Sequence, residues 1–166
     1  MRVEVRFAGF GGQGIIKSGI ITASAACSYS GKNAVQTQSY GPESRGGACK
    51  SEVLISEEVI DFPKVVEPDV LVVMSQEAYN TYVDTVKKGG TLLLDSDLVP
   101  KEKATTHIRV FRVPATKIAK EAGKTLIANV VMLGALTSIT NLVSAKSMKK
   151  SILSAIPRGT EKLNLE

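Results

Sequence analysis

The first forty residues change their hydrophobic period twice. Residues 2–8 alternate charged and apolar side chains before becoming fully apolar, which is typical of a strand entering a sheet. Residues 9–14, the first loop, contain four glycines and favour neither regular element. From Ile15 apolar residues recur at helical spacing until Gly31, a suitable C-terminal cap, and a short strand is predicted over 33–37. The stripe predicted to be buried consists of Ile16, Ile20, Ala23 and Cys27.

The rest of the chain continues to alternate strands and helices. Residues 38–47, the second loop, hold three glycines and a proline and are predicted to join two paired strands. Further strands are predicted over 48–56, 69–74, 91–94 and 107–113, and helices over 76–88, from Pro114, over 126–142 and over 147–156. Neither an internal repeat nor a linker stands out. The pattern predicts one α/β domain over 1–166 with three layers, helices covering both faces of the sheet and 158–166 forming a loose tail.

Composition narrows the class of protein. A chain of 166 residues that is 43% hydrophobic has the size of one domain, able to bury roughly 70% of its unfolded surface. Two cysteines are too few for a disulfide framework or a four-thiolate iron–sulfur site. No apolar run reaches the ~18 residues of a membrane span, and the N-terminus has a strand pattern instead of a secretion signal. We therefore expect a soluble, cytoplasmic protein with no membrane association.

Charge is unevenly divided along the chain. Residues 1–100 carry 9 basic and 12 acidic side chains, whereas residues 101–166 carry 12 and 4. The basic half is compatible with an acidic partner, a phosphate-bearing ligand or a merely solvated surface. Nucleic acid is disfavoured, because the basic residues are scattered and the chain has no tryptophan among them to stack on bases.

The first loop is the strongest local motif. Gly9, Gly11 and Gly14 match the G-x-G-x-x-G spacing between a strand and a helix, where free amides favour an anion. A dinucleotide site also needs a carboxylate about 20 residues on, and residues 35–39 contain none. A dinucleotide, another phosphate ligand and a purely structural turn all remain open. The later Gly123-Lys-Thr is not a phosphate-binding P-loop, because that motif needs glycine where Ile118 stands.

Conventional catalytic sets are missing from the sequence. His107 is the only histidine and is predicted to lie in a strand at the surface. Cys27 is predicted to be core, and Cys49 sits beside Lys50, where a lowered thiol pKa is conceivable but no base partner is evident. Asp95 and Asp97 follow a strand and are predicted to be solvent-facing turn residues.

The second loop combines backbone freedom with chemically capable side chains. Its Gly-Pro and Gly-Gly pairs enclose a carboxylate and an arginine, directly after an aromatic residue. Two interpretations stay open on this pattern: a loop ordered by something that docks there, or a mobile tip.

The two loops together resemble the gamma subunit of 2-oxoacid:ferredoxin oxidoreductases, above all the 2-oxoglutarate type. The resemblance rests on Gly9-Phe-Gly-Gly-Gln-Gly-Ile15 followed by Gln38-Ser-Tyr-Gly-Pro-Glu-Ser-Arg-Gly-Gly-Ala48 and a strand. Further matches are Glu67-Pro-Asp-Val-Leu71, Val113-Pro-Ala-Thr116 and Ala128-Asn-Val-Val-Met-Leu-Gly-Ala135. The resemblance covers about residues 3–143 and implies a mixed, mostly parallel sheet like that of the gamma domain (domain III) of pyruvate:ferredoxin oxidoreductase.

The resemblance implies one subunit of a larger enzyme, inactive by itself. Such enzymes decarboxylate a 2-oxoacid, here 2-oxoglutarate, on thiamine diphosphate with Mg, pass electrons through [4Fe-4S] clusters to ferredoxin or a similar acceptor, and release CO2 and an acyl-coenzyme A, here succinyl-CoA. The cofactors belong to other subunits, so this chain is expected to hold no cofactor and no metal alone. Its expected partners are alpha, beta and ferredoxin-like delta subunits, together with coenzyme A. A pyruvate or other 2-oxoacid version of the complex is the alternative within the family.

The resemblance also suggests binding residues, though no catalytic residue in this chain. In the first loop they form a candidate phosphate-facing turn: Gly9, Gly11, Gly12, Gln13 and Gly14. In the second loop they face a partner or the active site: Tyr40, Glu43, Ser44, Arg45, Gly46 and Gly47. Arg45 could pair with a carboxylate or phosphate in a forked geometry, and Lys17 could assist at the first loop. Asn129 matches a family position to which no role is assigned.

Two rival functions come from other classes. One is a stand-alone dinucleotide-dependent oxidoreductase that uses the first loop. The other is a non-catalytic module whose two loops serve only assembly.

Overall fold

The structure, a computed structural model, describes residues 1–41 and 47–165. Its strands are β1 (Arg2–Phe10), β2 (Asn33–Tyr40), β3 (Ala48–Ser56), β4 (Val70–Val73), β5 (Thr91–Asp95) and β6 (Arg109–Val113). Its helices are α1 (Ile15–Ser30), α2 (Gln76–Tyr82), α3 (Ala115–Glu121), α4 (Ala128–Thr140), α5 (Ala145–Ala155) and α6 (Glu161–Leu165). Single 3-10 turns cover Val83–Thr85 and Thr125–Ile127.

All six described strands form one mixed sheet in the order β2-β3-β1-β4-β5-β6. The four strands β1, β4, β5 and β6 pair in parallel, whereas β3 pairs antiparallel with both β1 and β2. After β1 the chain moves to one edge of the sheet, and β4 then returns on the other side of β1. The carboxyl ends of β1 and β4 therefore flank the point where the winding reverses, the usual place for a ligand crevice in an open α/β sheet.

Helices cover both faces of this sheet, as the pattern predicts. On one face α1, α3, α4 and α5 bury side chains such as Val5, Phe7 and Leu93. On the other face α2 and its following 3-10 turn pack over side chains such as Leu71 and Leu92. Strands β4 and β5 are buried at every position, which explains why they read as continuous apolar runs. No helix among the described residues is long and apolar enough to cross a membrane.

The buried stripe of α1 differs from the prediction. Ile20 and Cys27 are exposed, while Ser18, Gly19 and Thr22 face the sheet. A Cβ on Gly19 would lie 1.9 Å from Ser51 Oγ, so the helix approaches β3 too closely for larger residues. The hydroxyls of Ser18 and Thr22 donate to carbonyls one turn back, which satisfies them without partners in the sheet. Hydrophobic spacing missed these three positions because they carry small or polar side chains, although Ile16 and Ala23 of the predicted stripe do pack against the core.

Several element boundaries also differ. Strand β2 continues to Tyr40, because its backbone pairs with β3 along its whole length, and the second loop shortens accordingly. The helix predicted over 76–88 ends at Tyr82 and tightens into the 3-10 turn. The segment 158–166, expected to be a loose tail, contains α6, whose Leu163 packs against the core.

Asp95 corrects another expectation, because it is fully buried. Its carboxylate accepts hydrogen bonds from Thr116 N (3.1 Å) and Thr116 Oγ1 (2.7 Å), and from the backbone N of Asp97. It therefore caps the first turn of α3 from the end of β5, where Pro114 supplies no side-chain cap. Asp97 is exposed, as expected, and its carboxylate accepts a hydrogen bond from the backbone N of Lys117.

We expect Asp95→Ala to lower the free energy of unfolding by about 2–3 kcal/mol, because the two buried donors of Thr116 and the partly buried backbone N of Asp97 lose a charged acceptor. Urea titration followed by circular dichroism measures the change. Asp97→Ala is the matched control and should lose less than about 1 kcal/mol, since its partner can turn to water. Equal losses in the two variants would contradict the assigned role of Asp95.

Candidate functional site

Gln13 fastens the first loop to the sheet. Its Oε1 accepts a hydrogen bond from Phe10 N at 2.7 Å, and its Nε2 donates to Met74 O at 2.7 Å. One side chain thereby joins the carboxyl ends of β1 and β4 across the reversal in winding. Because both polar atoms of Gln13 are committed to backbone, its role in this arrangement is to hold the loop in place.

Two of the loop glycines are required by close packing. A Cβ on Gly9 would lie 2.4 Å from Gln13 Oε1, and a Cβ on Gly14 would lie 2.5 Å from Asn129 Nδ2. Gly14 also has φ +76°, a left-handed conformation that disfavours other residues. Asn129 is buried in the first turn of α4 and donates a long hydrogen bond (3.4 Å) to Gly14 O. Asn129, whose role the sequence leaves unassigned, thus supports the start of α1.

Gly12 faces open space at the start of α1. It has φ +93°, and a Cβ placed there would meet no atom within 4 Å. No side chain among the described residues caps α1, and its first turn contains no acidic residue. Lys17 is exposed within that turn. Free backbone amides at a helix start, with a cation nearby and room in front, can accept an anion such as a phosphate.

The second loop is attached to the first at its base. Gly11 N donates to Gly47 O at 2.9 Å, and Gly41 N donates to Ala48 O at 2.6 Å. Tyr40, at the end of β2, is exposed and accepts a hydrogen bond from Gln38 Nε2. The structure therefore brings Gly11, Gly47 and Tyr40 to the same end of the sheet. Four predicted site residues lie outside the described residues: Glu43, Ser44, Arg45 and Gly46.

A crevice of about 520 Å³ opens beside Gln13 at the reversal in winding. Phe10, Met74 and Leu98 provide apolar walls, and the first turn of α2 provides a polar one. Gln76 in that wall is held in place, since it accepts from Lys101 N and donates to Lys101 O. The crevice and the open space at Gly12 adjoin the same loop. Sequence reasoning missed the β4 side of this crevice, although the polar Ser75-Gln76 after a buried strand is a usable signal.

The cysteines and the histidine offer no reactive centre at this site. Burial raises the pKa of the Cys49 thiol, so the group stays protonated to higher pH than an exposed thiol, contrary to the lowered value that seemed conceivable. Cys27 is exposed on α1, and the prediction that it belongs to the core is wrong. His107 is exposed and precedes β6. Over residues 1–41 and 47–165, no three His, Cys, Asp or Glu side chains cluster to hold a metal ion.

Comparison with known proteins decides the family. Residues 4–166 match the family described as pyruvate ferredoxin/flavodoxin oxidoreductase. This chain belongs to that family. A 2-oxoglutarate synthase subunit KorC of Methanocaldococcus jannaschii is 56% identical over 99% of this chain and 89% of the relative. The gamma-subunit resemblance drawn from the two loops is thereby confirmed.

Solved structures agree with the family and with the fold. A keto/oxoacid ferredoxin oxidoreductase gamma subunit from Geobacter sulfurreducens superimposes with a TM-score of 0.87 at 43% identity, covering 98% of this chain and 92% of that one. A 2-oxoglutarate:ferredoxin oxidoreductase from Magnetococcus marinus, solved with 2-oxoglutarate, coenzyme A and succinyl-CoA bound, superimposes with a TM-score of 0.89 at 27% identity. This match covers 99% of this oxidoreductase subunit but only 29% of the longer Magnetococcus chain. The mixed, mostly parallel α/β/α fold is confirmed.

We expect Gln13→Leu to destabilise this oxidoreductase subunit by about 2 kcal/mol, because Phe10 N and Met74 O both lose their partner at the crevice. Gln76→Leu is the matched control: it also removes two hydrogen bonds to backbone, yet these are exposed, so a loss below about 1 kcal/mol is expected. Denaturant unfolding measures both. Losses of the same size would show that Gln13 does not fasten the loop.

The two cysteines of the subunit should differ in reactivity. With an aromatic disulfide reagent at pH 8, we expect one thiol per native chain, Cys27, to react within minutes, and Cys49 to react only after unfolding, because its pKa is raised and its sulfur is buried. Cys27→Ser should abolish the fast phase. A fast phase that survives in Cys27→Ser would contradict the inert environment of Cys49.

Proposed function

We propose that this chain is the gamma subunit of a 2-oxoglutarate:ferredoxin oxidoreductase and contributes one wall of its coenzyme A cleft. The observation that carries the proposal is the open, uncapped start of α1 at Gly12, with the base of the second loop hydrogen-bonded to it. The 2-oxoglutarate assignment is supported by the KorC relative and by the Tyr-Gly-Pro-Glu-Ser-Arg-Gly-Gly form of the second loop.

Coenzyme A presents a diphosphate that this end of the sheet can hold. The amides at the start of α1 supply fixed donors, and Lys17 adds a positive charge in the same turn. Arg45 lies two residues before Gly47 in the chain, and Gly47 is tied to Gly11. An arginine can bind phosphate through two parallel hydrogen bonds, so Arg45 is the proposed second contact.

The redox chemistry is assigned to partner subunits. The proposed partners are alpha, beta and delta subunits carrying thiamine diphosphate with Mg and [4Fe-4S] clusters, with ferredoxin as the acceptor. Coenzyme A accepts the acyl group, and the role of this chain is to hold the diphosphate and exclude water from the crevice beside Gln13. A buried, protonated Cys49 and an exposed His107 are consistent with a chain that binds and positions but does not transfer protons or electrons.

A stand-alone dinucleotide enzyme fits this sheet less well. In dinucleotide-binding folds the strand after the first helix lies next to β1 and its final carboxylate binds the ribose. Here β3 separates β2 from β1, which puts the end of β2 two strand spacings, about 10 Å, from the first loop. The residues 35–40 at that end carry no carboxylate either.

The proposal predicts a specific loss of coenzyme A affinity. In the assembled complex, Gly12→Val should fill the space in front of α1 and Arg45→Ala should remove a phosphate contact, each raising the KM for coenzyme A by about tenfold or more. The KM for 2-oxoglutarate should change less than about twofold, because both substitutions weaken the binding of coenzyme A and leave the binding of 2-oxoglutarate intact. Steady-state kinetics with each substrate varied in turn measures this.

Two control variants separate binding from strain. Gly89 has φ +81° with nothing within 4 Å, so Gly89→Val reproduces the backbone strain of Gly12→Val at the opposite end of the sheet. Arg158→Ala removes an exposed arginine elsewhere. Unchanged KM and turnover in both loop variants would remove the proposal. If size-exclusion chromatography showed that the two loop variants dissociate the complex, the alternative function would be favoured, in which the two loops serve only assembly.

A further inference from the structure

Helix α4 is apolar on more than the face that it turns to the sheet. Met132, Leu133 and Leu136 are buried in the core. On the outer side Val131, Gly134 and Ala135 line an open groove of about 420 Å³ between α3, α4 and α5. Gly134 is exposed and Val131 and Ala135 are only partly buried, so the outer face of α4 is incompletely covered by this chain.

The walls of this groove are also apolar. Ile118 of α3 contributes a side chain that is 41% exposed, and Met148 and Ile152 of α5 form the opposite wall. Leu163 and Leu165 of α6 also line the groove. A Cβ on Gly134 would meet no atom within 4 Å outside its own helix, which shows how open the groove is at that point. An exposed apolar concavity of this kind marks a docking surface.

The two helices that form the walls of the groove are basic. Helices α3 and α5, which form its walls, carry five lysines and a single acidic residue, Glu121. The lysines are exposed and comprise Lys117, Lys120, Lys146, Lys149 and Lys150. Lys149 itself lines the groove. Charge complementarity therefore selects an occupant with carboxylates beside its apolar contact residues.

We propose that the groove between α3, α4 and α5 receives a segment of a partner subunit that presents an apolar face flanked by Asp and Glu. This inference rests on the proposed function, in which the chain assembles with other subunits, and it assigns the groove as a surface of contact with one of them. A second copy of the chain is disfavoured as occupant, because it would bring its own lysines against these. The Magnetococcus chain, in which the matching domain is 29% of the length, shows that such a domain can be continuous with much further polypeptide.

The test measures binding of the full chain to the purified remaining subunits of its own complex. Gly134→Arg should fill the groove and weaken binding at least about tenfold, whereas Gly134→Ala should stay within about twofold because one methyl group fits the open space. The double variant Lys146→Glu/Lys149→Glu should also weaken binding about tenfold and flatten its dependence on salt. Lys64→Glu/Lys88→Glu makes the same charge change at exposed sites elsewhere and should bind normally.

Thermal melts confirm that each variant is folded before its binding is compared. Unchanged affinity of folded Gly134→Arg would overturn the proposal. The proposal would also fail if the wild-type chain formed a homodimer in sedimentation experiments and Gly134→Arg dissociated it. It would fail equally if the lysine variant lost affinity for a nucleic acid while its binding to the other subunits stayed normal. Groove variants should keep the wild-type KM for coenzyme A once assembled at saturating concentration. The two proposals are therefore tested independently. Gly12→Val and Arg45→Ala test the coenzyme A proposal, the groove variants test the docking proposal, and either proposal can fail while the other stands.

Discussion

The site depends on one amide side chain that spans the reversal in the winding of the sheet. At that point β1 and β4 run parallel and are paired through Ala8 and Met74, so the loop after β1 lies beyond the hydrogen-bond ladder between the two strands. Gln13 supplies the missing link with one accepted and one donated hydrogen bond. Glutamine suits this position because it is neutral and offers both functions, whereas a carboxylate could not donate to Met74 O.

The remaining loop residues follow from that link. With Gln13 in place, Gly9 must lack a side chain, and Gly14 must turn left-handed against Asn129 to begin α1. Gly12, in contrast to Gly9 and Gly14, faces open space. The hydrogen bond from Gly11 to Gly47 then extends this arrangement to the base of the second loop.

The sequence predicts the layers of the fold and the place of the first loop, because strand periods and a glycine cluster are local signals. The predicted buried stripe of α1 is only half right: Ile16 and Ala23 pack against the core, whereas Ile20 and Cys27 are exposed. The prediction also omits Ser18, Gly19 and Thr22, which are buried. The sequence also puts Asp95 in solvent, because a carboxylate after a strand looks the same whether it meets water or the start of a helix twenty residues later. Such partners are set by tertiary packing, which no window of sequence contains. For the second loop, the local pattern leaves two interpretations open, a docking loop or a mobile tip, and it is the resemblance to the gamma-subunit family that indicates a binding role.

The contact between Gly19 and Ser51 has a consequence for how ligands are received. Because even a methyl group at position 19 would overlap Ser51, α1 is packed closely against β3 at this point, which restrains its position on the sheet. The first amides of α1 are therefore held in fixed positions, and an anion bound as proposed would meet donors whose ordering cost is already met by the packing of the helix.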